Sequence, residues 1–311
     1  MITIYKKIGG KLAELPNVEE DCWINVVCPG EAEIRALAEQ LDVPADFLAD
    51  PLDLDERARI EIEDDCSLII LHTPVRAKDD EDEIPFTTAP IGIILKKDAL
   101  ITVCQQESEI LRDFIELRIK NFIIHDRARF IIQIFLHTAI KFLRHLKEIN
   151  KKTSGLETDL RESMQNEALI RLMNIEKSLV YFMTSIQSNE IVMARITRAD
   201  IIRLDDLDKD LLDDAITENL QALRMTKIYS NILSGMMDAF ASIISNNVNT
   251  VMKFLTSVTI ILMIPNLVAS MYGMNVELPF QHSMNAFIIV MVGALVLSLL
   301  GVWVFLKKKW L

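Results

Sequence analysis

Two stretches near the C-terminus, residues 254–271 and 286–306, contain no charged side chain. At about 1.5 Å of rise per residue, each is long enough as a helix to cross a hydrocarbon layer about 30 Å thick. The link between them, 272–285, holds no Lys or Arg, whereas Lys253 precedes the first stretch and Lys307, Lys308 and Lys309 follow the second. Cytoplasmic flanks of membrane helices are enriched in basic residues. The pattern therefore predicts a membrane hairpin with both ends in the cytoplasm and the link facing outward. Trp303 and Trp310 fall near the inner boundary, where indole rings are favoured.

Upstream of the hairpin the pattern changes once. From Ser108 to Pro265 there is no intervening proline, and the composition is that of long helices. Breaks are predicted at 151–155, at 188–189 and around 203–209, with a last helix running from about 210 into the membrane. The first hundred residues read differently. Residues 21–28, 59–62, 67–73, 89–95 and 99–105 have strand character, with a helix at 31–41 and a short one at 44–48. Glu63-Asp64-Asp65 and Lys96-Lys97-Asp98 look like tight turns, and the acidic run 79–83 is a solvated loop. The expected fold is an α+β cytoplasmic domain, a mixed sheet with helices, over 1–107, then a helical region over 108–209. A stalk helix over 210–271 becomes membrane-embedded from about 251, followed by the link, a second membrane helix at 286–306 and a basic tail at 307–311.

Charge narrows the partners. The chain carries a formal charge of -12, and residues 1–100 hold 10 Lys and Arg against 23 Asp and Glu. Such a domain repels nucleic acid and suits divalent cations. Cys22, Cys28, Cys66 and Cys104 form no Cys-x-x-Cys pair and read as buried reduced thiols. The first residues lack the apolar core of a signal peptide, so the hairpin itself is expected to direct insertion.

The first membrane segment is polar in one direction only. At about 100° per residue, counting from Asn249, the residues Asn249, Met252, Thr256, Thr259, Met263, Asn266 and Ser270 all fall within about 260–360°. A polar stripe in hydrocarbon must face protein or water. Two arrangements satisfy it: packing against the second helix, as small polar residues do in membrane bundles, or several copies around a water-filled path. Two helices cannot enclose a channel, so the second arrangement requires a symmetric oligomer. Pro265 either kinks the helix harmlessly or loosens it as a hinge.

The segment ends in Tyr272-Gly273-Met274-Asn275, and here the chain resembles the CorA magnesium transporters, whose signature closes the first of two C-terminal membrane helices. The resemblance extends through Asn249-Thr250-Val251-Met252-Lys253 and the Lys-Lys-Lys-Trp-Leu terminus. It implies a homopentamer in the inner membrane that conducts Mg²⁺. Gly273, Met274 and Asn275 would form the selectivity filter, and Asn249, Met252, Leu255, Thr256, Thr259, Met263, Asn266 and Ser270 would line the pore. It also implies a regulatory Mg²⁺ held between cytoplasmic domains, with Asp214 from one subunit, Asp65 from its neighbour and Asp238 deeper, inside the pore mouth. Asp206, Asp208 and Asp210 read as surface charge, and Glu277 and His282 as residues of the outer link. No organic cofactor is implied.

A ring of neutral amide oxygens suits this cargo, because Mg²⁺ holds its waters tightly and a carboxylate ring would release it slowly. Zn²⁺, Co²⁺ or Ni²⁺ are alternative cargoes, with Met274 at the middle of the triplet favouring magnesium. A membrane-anchored metal-dependent enzyme and a sensor that does not conduct are the rivals from other classes. No nucleophile–base pair or histidine-rich constellation supports the enzyme.

Overall fold

A computed structural model of the chain describes residues 1–9, 11–77, 84–96, 99–119, 122, 124, 126–163, 166–199, 202, 204–276, 279 and 284–310, with only the backbone for 161–163 and 199. The expected loop at 79–83, most of the Lys96-Lys97-Asp98 turn, Glu277 and His282 lie outside the described residues. The chain forms two compact units, Met1–Ser234 and Gly235–Leu311.

The first unit is built on a seven-stranded mixed sheet. Its strands are β1 Ile2–Ile8, β2 Lys11–Leu15, β3 Cys22–Val27, β4 Arg59–Glu63, β5 Cys66–Arg76, β6 Phe86–Lys96 and β7 Ala99–Cys104, in the order β2-β1-β3-β7-β6-β5-β4. Only β3 and β7 run parallel; the other neighbours are antiparallel. Successive strand residues point to opposite faces, and here both faces are covered. Ile24 and Val26 of β3, Ile101 and Val103 of β7 and Leu68 and Ile70 of β5 pack with Leu37 of α1 (Glu31–Leu41) and Phe47 and Leu48 of α2 (Ala45–Ala49). The alternate residues Trp23, Leu100, Ile93 and Ile69 pack on the other face against the long helices.

The Trp23, Thr102 and Asn25 side chains inside the sheet are linked in a chain, as burial favours. The Trp23 indole donates to Thr102 Oγ1 at 2.8 Å, and that hydroxyl donates on to Asn25 Oδ1 at 3.0 Å. Gly92 of β6 marks the tightest approach. A Cβ there would stand 2.2 Å from Pro51 Cγ in the 3-10 turn Asp50–Leu52, so only glycine admits that turn onto the sheet.

Sequence periodicity locates five of the strands and misses the β1–β2 hairpin. Its turn contains Gly9 at φ +60°, and its strands are half-exposed, with lysines interrupting the alternation. Three cysteines are buried as expected, but Cys28 is exposed, at a positive φ just beyond β3.

The helices are α3 Glu109–Ile115, α4 Arg127–Ser163, α5 Asn166–Ala199, α6 Asp206–Tyr272 and α7 Ala286–Lys307. The breaks expected at 151–155 and 188–189 do not occur. The Thr153 and Ser154 hydroxyls donate to the Ile149 and Asn150 carbonyls of their own helix, so neither competes for another turn. Asn189 is turned to tertiary use: its carboxamide accepts from His72 N and donates to His72 O, both at 2.8 Å, as a neighbouring strand would.

The break near 203–209 does occur, and α6 begins there with reciprocal bonds between Asp205 and Asp208. Asp208 N donates to Asp205 Oδ1 at 2.7 Å and Asp205 N to Asp208 Oδ2 at 3.2 Å, which satisfies amides that a helix start leaves unpaired. Asp206 and Asp210 are surface charges as expected, whereas Asp208 is buried and bonded to Arg129.

Candidate functional site

The second unit consists of the C-terminal part of α6 and the antiparallel α7, both long and apolar enough to cross a membrane. From residue 254 onward the covered α6 residues are Ser257, which is fully buried, and the half-covered Val258, Ile261, Ile264, Pro265 and Val268. They fall within about 60–180° on the helical wheel counted from Asn249. The side of α7 that meets them carries small residues at helical spacing, with Ala294 buried and Ala286, Ser298 and Gly301 half-covered. A Cβ at Gly301 would lie 3.5 Å from Ile264 Cδ1 and 3.7 Å from Ile261 Cγ1, so the two backbones approach closely, as small residues allow in membrane helix pairs.

The polar stripe is on the opposite side. Asn249, Met252, Thr256, Thr259, Met263, Asn266 and Ser270 are all exposed, and Leu255 beside them is exposed too. Between the two arrangements open at the level of sequence, the α7 contact uses the other face of α6. The stripe is uncommitted along its length.

The hydroxyls of this segment are partly satisfied by their own helix. Thr259 Oγ1 donates to the Leu255 carbonyl at 2.8 Å and Ser257 Oγ to the Lys253 carbonyl at 2.7 Å. Among the described residues the carboxamides of Asn249, Asn266 and Asn275 have no hydrogen-bond partner. They are free to meet water or a hydrated ion. Pro265 lies inside the continuous helix and has no N–H, so the Ile261 carbonyl loses its helical donor at the middle of the stripe.

At the outer end, α6 stops at Tyr272 and its last turn tightens. Gly273 N still reaches the Ala269 carbonyl at 3.0 Å, but Met274 N reaches only back to Met271 at 3.3 Å. Gly273 is not in a left-handed conformation, and a Cβ there would make ordinary contacts of 3.5 Å and 3.6 Å. The turn therefore does not by itself require the glycine. Met274 and Asn275 are exposed beyond the turn. The Tyr272 hydroxyl donates to the Pro279 carbonyl at 3.0 Å, tying the helix end to the link.

The acidic candidates are dispersed. Asp65 is exposed in the turn between β4 and β5, and Asp214 and Asp238 are exposed on α6. Among the described residues no group of three or more His, Cys, Asp or Glu side chains gathers to hold a metal. Exposed carboxylates suit Mg²⁺ as single outward-facing donors, and a complete coordination shell requires further ligands from outside one chain.

Three histidines in the first unit escaped the sequence reading. Burial holds the pKa of His72, His137 and His145 below the ordinary imidazole value. Neither ring nitrogen of His145 has a hydrogen-bond partner, and its ring packs 5.1 Å from that of Phe86. A lone histidine gives no sequence signal for such a place.

The geometry has counterparts among known proteins. The profile of a family described as "CorA-like Mg2+ transporter protein" matches residues 19–308. The "Cobalt/magnesium transport protein CorA" of Methanocaldococcus jannaschii is 26% identical over 294 residues, which span 93% of this chain and 91% of the relative. The protein of the same name from Thermotoga maritima is 22% identical over 298 residues, 93% of this chain and 83% of the relative. Among solved structures, "The complete structure of CorA magnesium transporter from Methanocaldococcus jannaschii" superposes with a TM-score of 0.85 at 24% identity, covering 100% of this chain and 99% of that one.

Proposed function

Because this chain belongs to the family of CorA-like Mg²⁺ transporter proteins, a family of transporters and not of enzymes, we propose that it is a homopentameric channel for Mg²⁺ influx across the inner membrane. Both termini face the cytoplasm. The observation that carries the proposal is the uncommitted stripe: its seven residues are exposed, α7 packs on the other face of α6, and Asn275 lies just past the end of that helix.

Copies of α6 set around an axis, stripe inward, enclose a water-filled path. Asn275, with Gly273 and Met274, forms the outer ring, where neutral amide oxygens accept hydrogen bonds from the shell of a hydrated ion without stripping it. Ser270 and Asn266 follow inward, and Met263 makes a first narrowing. Met252 with Leu255 and Thr256 makes a second, apolar constriction that closes by dewetting, and Asn249 rings the cytoplasmic mouth.

Asp65 and Asp214 from adjacent subunits, with Asp238 deeper on α6, hold the regulatory Mg²⁺. Carboxylates brought to a subunit interface repel one another and a divalent cation relieves that repulsion. Loss of the ion therefore loosens the ring and favours opening. Co²⁺ is a second cargo, favoured by the cobalt/magnesium names of two relatives, with Ni²⁺ and Zn²⁺ as further competitors.

The test is Mg²⁺ uptake into liposomes containing only this protein, with a subunit count on the same preparation. Saturable flux from pentamers is expected. A monomer or dimer, or membrane insertion without flux, overturns the proposal in favour of a sensor that does not conduct.

A further inference from the structure

The membrane unit is basic at one end in an acidic chain. Residues 235–311 contain four lysines, Lys253, Lys307, Lys308 and Lys309, and two acidic residues, Asp238, fifteen residues before Lys253, and Glu277, in the outer link. Gly301 lies against Ile261 and Ile264. Counted from that contact, the antiparallel register brings Lys253 level with the chain just past the end of α7. All four ammonium groups therefore gather at the same end of the hairpin. Among the described residues none pairs with a carboxylate: Lys307 lies over the Trp303 ring at 5.2 Å, and the others have no partner.

The backbone at this end is built to hold them there. Helix α7 closes with the Trp310 N–H on the Phe305 carbonyl at 3.0 Å and the Lys309 N–H on the Leu306 carbonyl at 3.1 Å. The Trp310 ring stacks on Phe305 at 5.8 Å. This is the hydrogen-bond pair and apolar contact of a Schellman turn. Its left-handed position, at φ 54°, is held by Lys309, where glycine would carry no steric penalty. The indole of Trp310 is drawn back against the helix, half-covered, while Lys307, Lys308 and Lys309 are exposed.

Four cations, none paired with a carboxylate among the described residues and flanked by two indoles at a membrane boundary, complement a phosphate on an apolar tail. We propose that this end of the hairpin is a binding site for anionic phospholipid headgroups, phosphatidylglycerol being the simplest. The inference rests on the membrane placement of α6 and α7 given above, and not on ion conduction.

The test is lipid retention by the purified full-length protein, read by native mass spectrometry after incubation with an equimolar mixture of phosphatidylglycerol and phosphatidylcholine. Preferential retention of phosphatidylglycerol, weakened by salt, is expected, and each lysine neutralised lowers the preference roughly fivefold. The combined Lys307→Gln, Lys308→Gln and Lys309→Gln variant should lose the preference. Lys309→Gly, which keeps the turn and relieves its backbone, should lose part of it, and Lys309→Arg should keep it.

Equal retention of the two lipids by the wild-type chain, or an unchanged preference in the triple variant, overturns the proposal. So does displacement by millimolar inorganic phosphate, which would mark a site for a soluble anion. Retention is read without any flux: a chain that selects phosphatidylglycerol but carries no Mg²⁺ upholds this site and overturns the channel, and the converse result removes only this site.

Discussion

The hydroxyl of Tyr272 donates a 3.0 Å hydrogen bond to the carbonyl of Pro279, so the last residue of α6 clasps the far side of the link that carries Asn275. Tyr272→Phe removes that bond and little else. A net hydrogen bond of about 1 kcal/mol corresponds to roughly a fivefold change in how often the link is held. Mg²⁺ uptake into liposomes should fall by a similar factor while insertion and subunit count stay unchanged. Uptake at the wild-type rate would mean that the filter is positioned by other contacts.

Asn275→Ala removes the outer amide without touching the helix pair. Loss of ion stabilisation of about 1.4 kcal/mol or more lowers flux at least tenfold, with assembly intact. Leu262→Ala is the matched control: Leu262 is 68% exposed on α6 but off the stripe, so it should leave flux unchanged. Equal losses for the two variants would argue against a path along the stripe.

The two spans and the polar stripe were readable before any coordinates, because their signals are local. Absence of charge marks the spans, and a 3.6-residue period puts Asn249 through Ser270 on one face. What the sequence leaves open is which face α7 takes. That choice depends on Gly301 meeting Ile261 and Ile264 from another helix, and no periodicity within α6 encodes it. The same limit explains the misjudged Asp208. Its neighbours in sequence are solvated acids, and only the arrival of Arg129 from α4 buries it. Helix breaks at 151–155 failed for a related reason: pairing of α4 with α5 outweighs the modest intrinsic cost of Thr, Ser and Gly in a helix interior.

His145, which is buried, and the half-buried His72 and His137 give a pH dependence with a definite sign. Their folded pKa values lie below the ordinary 6.5, chiefly through burial; Glu148 and Glu109 pull His145 upward without cancelling that effect. The unfolded chain therefore binds protons first as pH falls, so stability is complete above pH 6.5 and declines as pH drops toward the folded values. The thermal midpoint of the full-length protein should fall between pH 7 and pH 5, a window above the ordinary glutamate value of 4.5 that the Glu109–Lys141 pair lowers further. His145→Leu, which replaces a ring with two unpartnered nitrogens, should flatten the profile and be neutral or stabilising at pH 6. A profile unchanged in the variant would assign the effect to His72 and His137.

Gly92→Ala tests the sheet's closest contact. The new methyl would fall 2.2 Å from Pro51 Cγ and 2.8 Å from its Cβ, and a proline ring cannot swing aside. Overpacking of this kind costs about 1–3 kcal/mol. Chemical denaturation of the full-length protein should show a midpoint shift of that size, whereas Gly155→Ala, at a helix position with nothing within 4 Å, should be neutral or stabilising. Equal behaviour of the two would mean that the 3-10 turn at Asp50–Leu52 can lift from the sheet at no cost.

Arg129 anchors the start of α6. Its Nε and Nη2 donate to Asp208 Oδ1 at 3.1 Å and 3.0 Å, and Asp205 and Asp126 each lie 3.4 Å from it. The Asp208 side chain is 5% exposed and that of Arg129 is 23% exposed, so removing the arginine strands a nearly buried carboxylate. Breaking a fully buried pair costs about 3–5 kcal/mol, and the partial exposure of Arg129 reduces this to about 2–3. Arg129→Met should therefore lose about 2–3 kcal/mol in urea unfolding. Asp208→Asn, which keeps an acceptor for Arg129 but turns an NH2 toward the Asp205 amide, should lose about 1–2 kcal/mol, in line with one lost hydrogen bond. Combining the two should cost less than their sum, because the second change removes the charge that the first leaves unpaired. Strict additivity, or a loss below about 0.5 kcal/mol for Arg129→Met, would show that the cluster is surface charge after all.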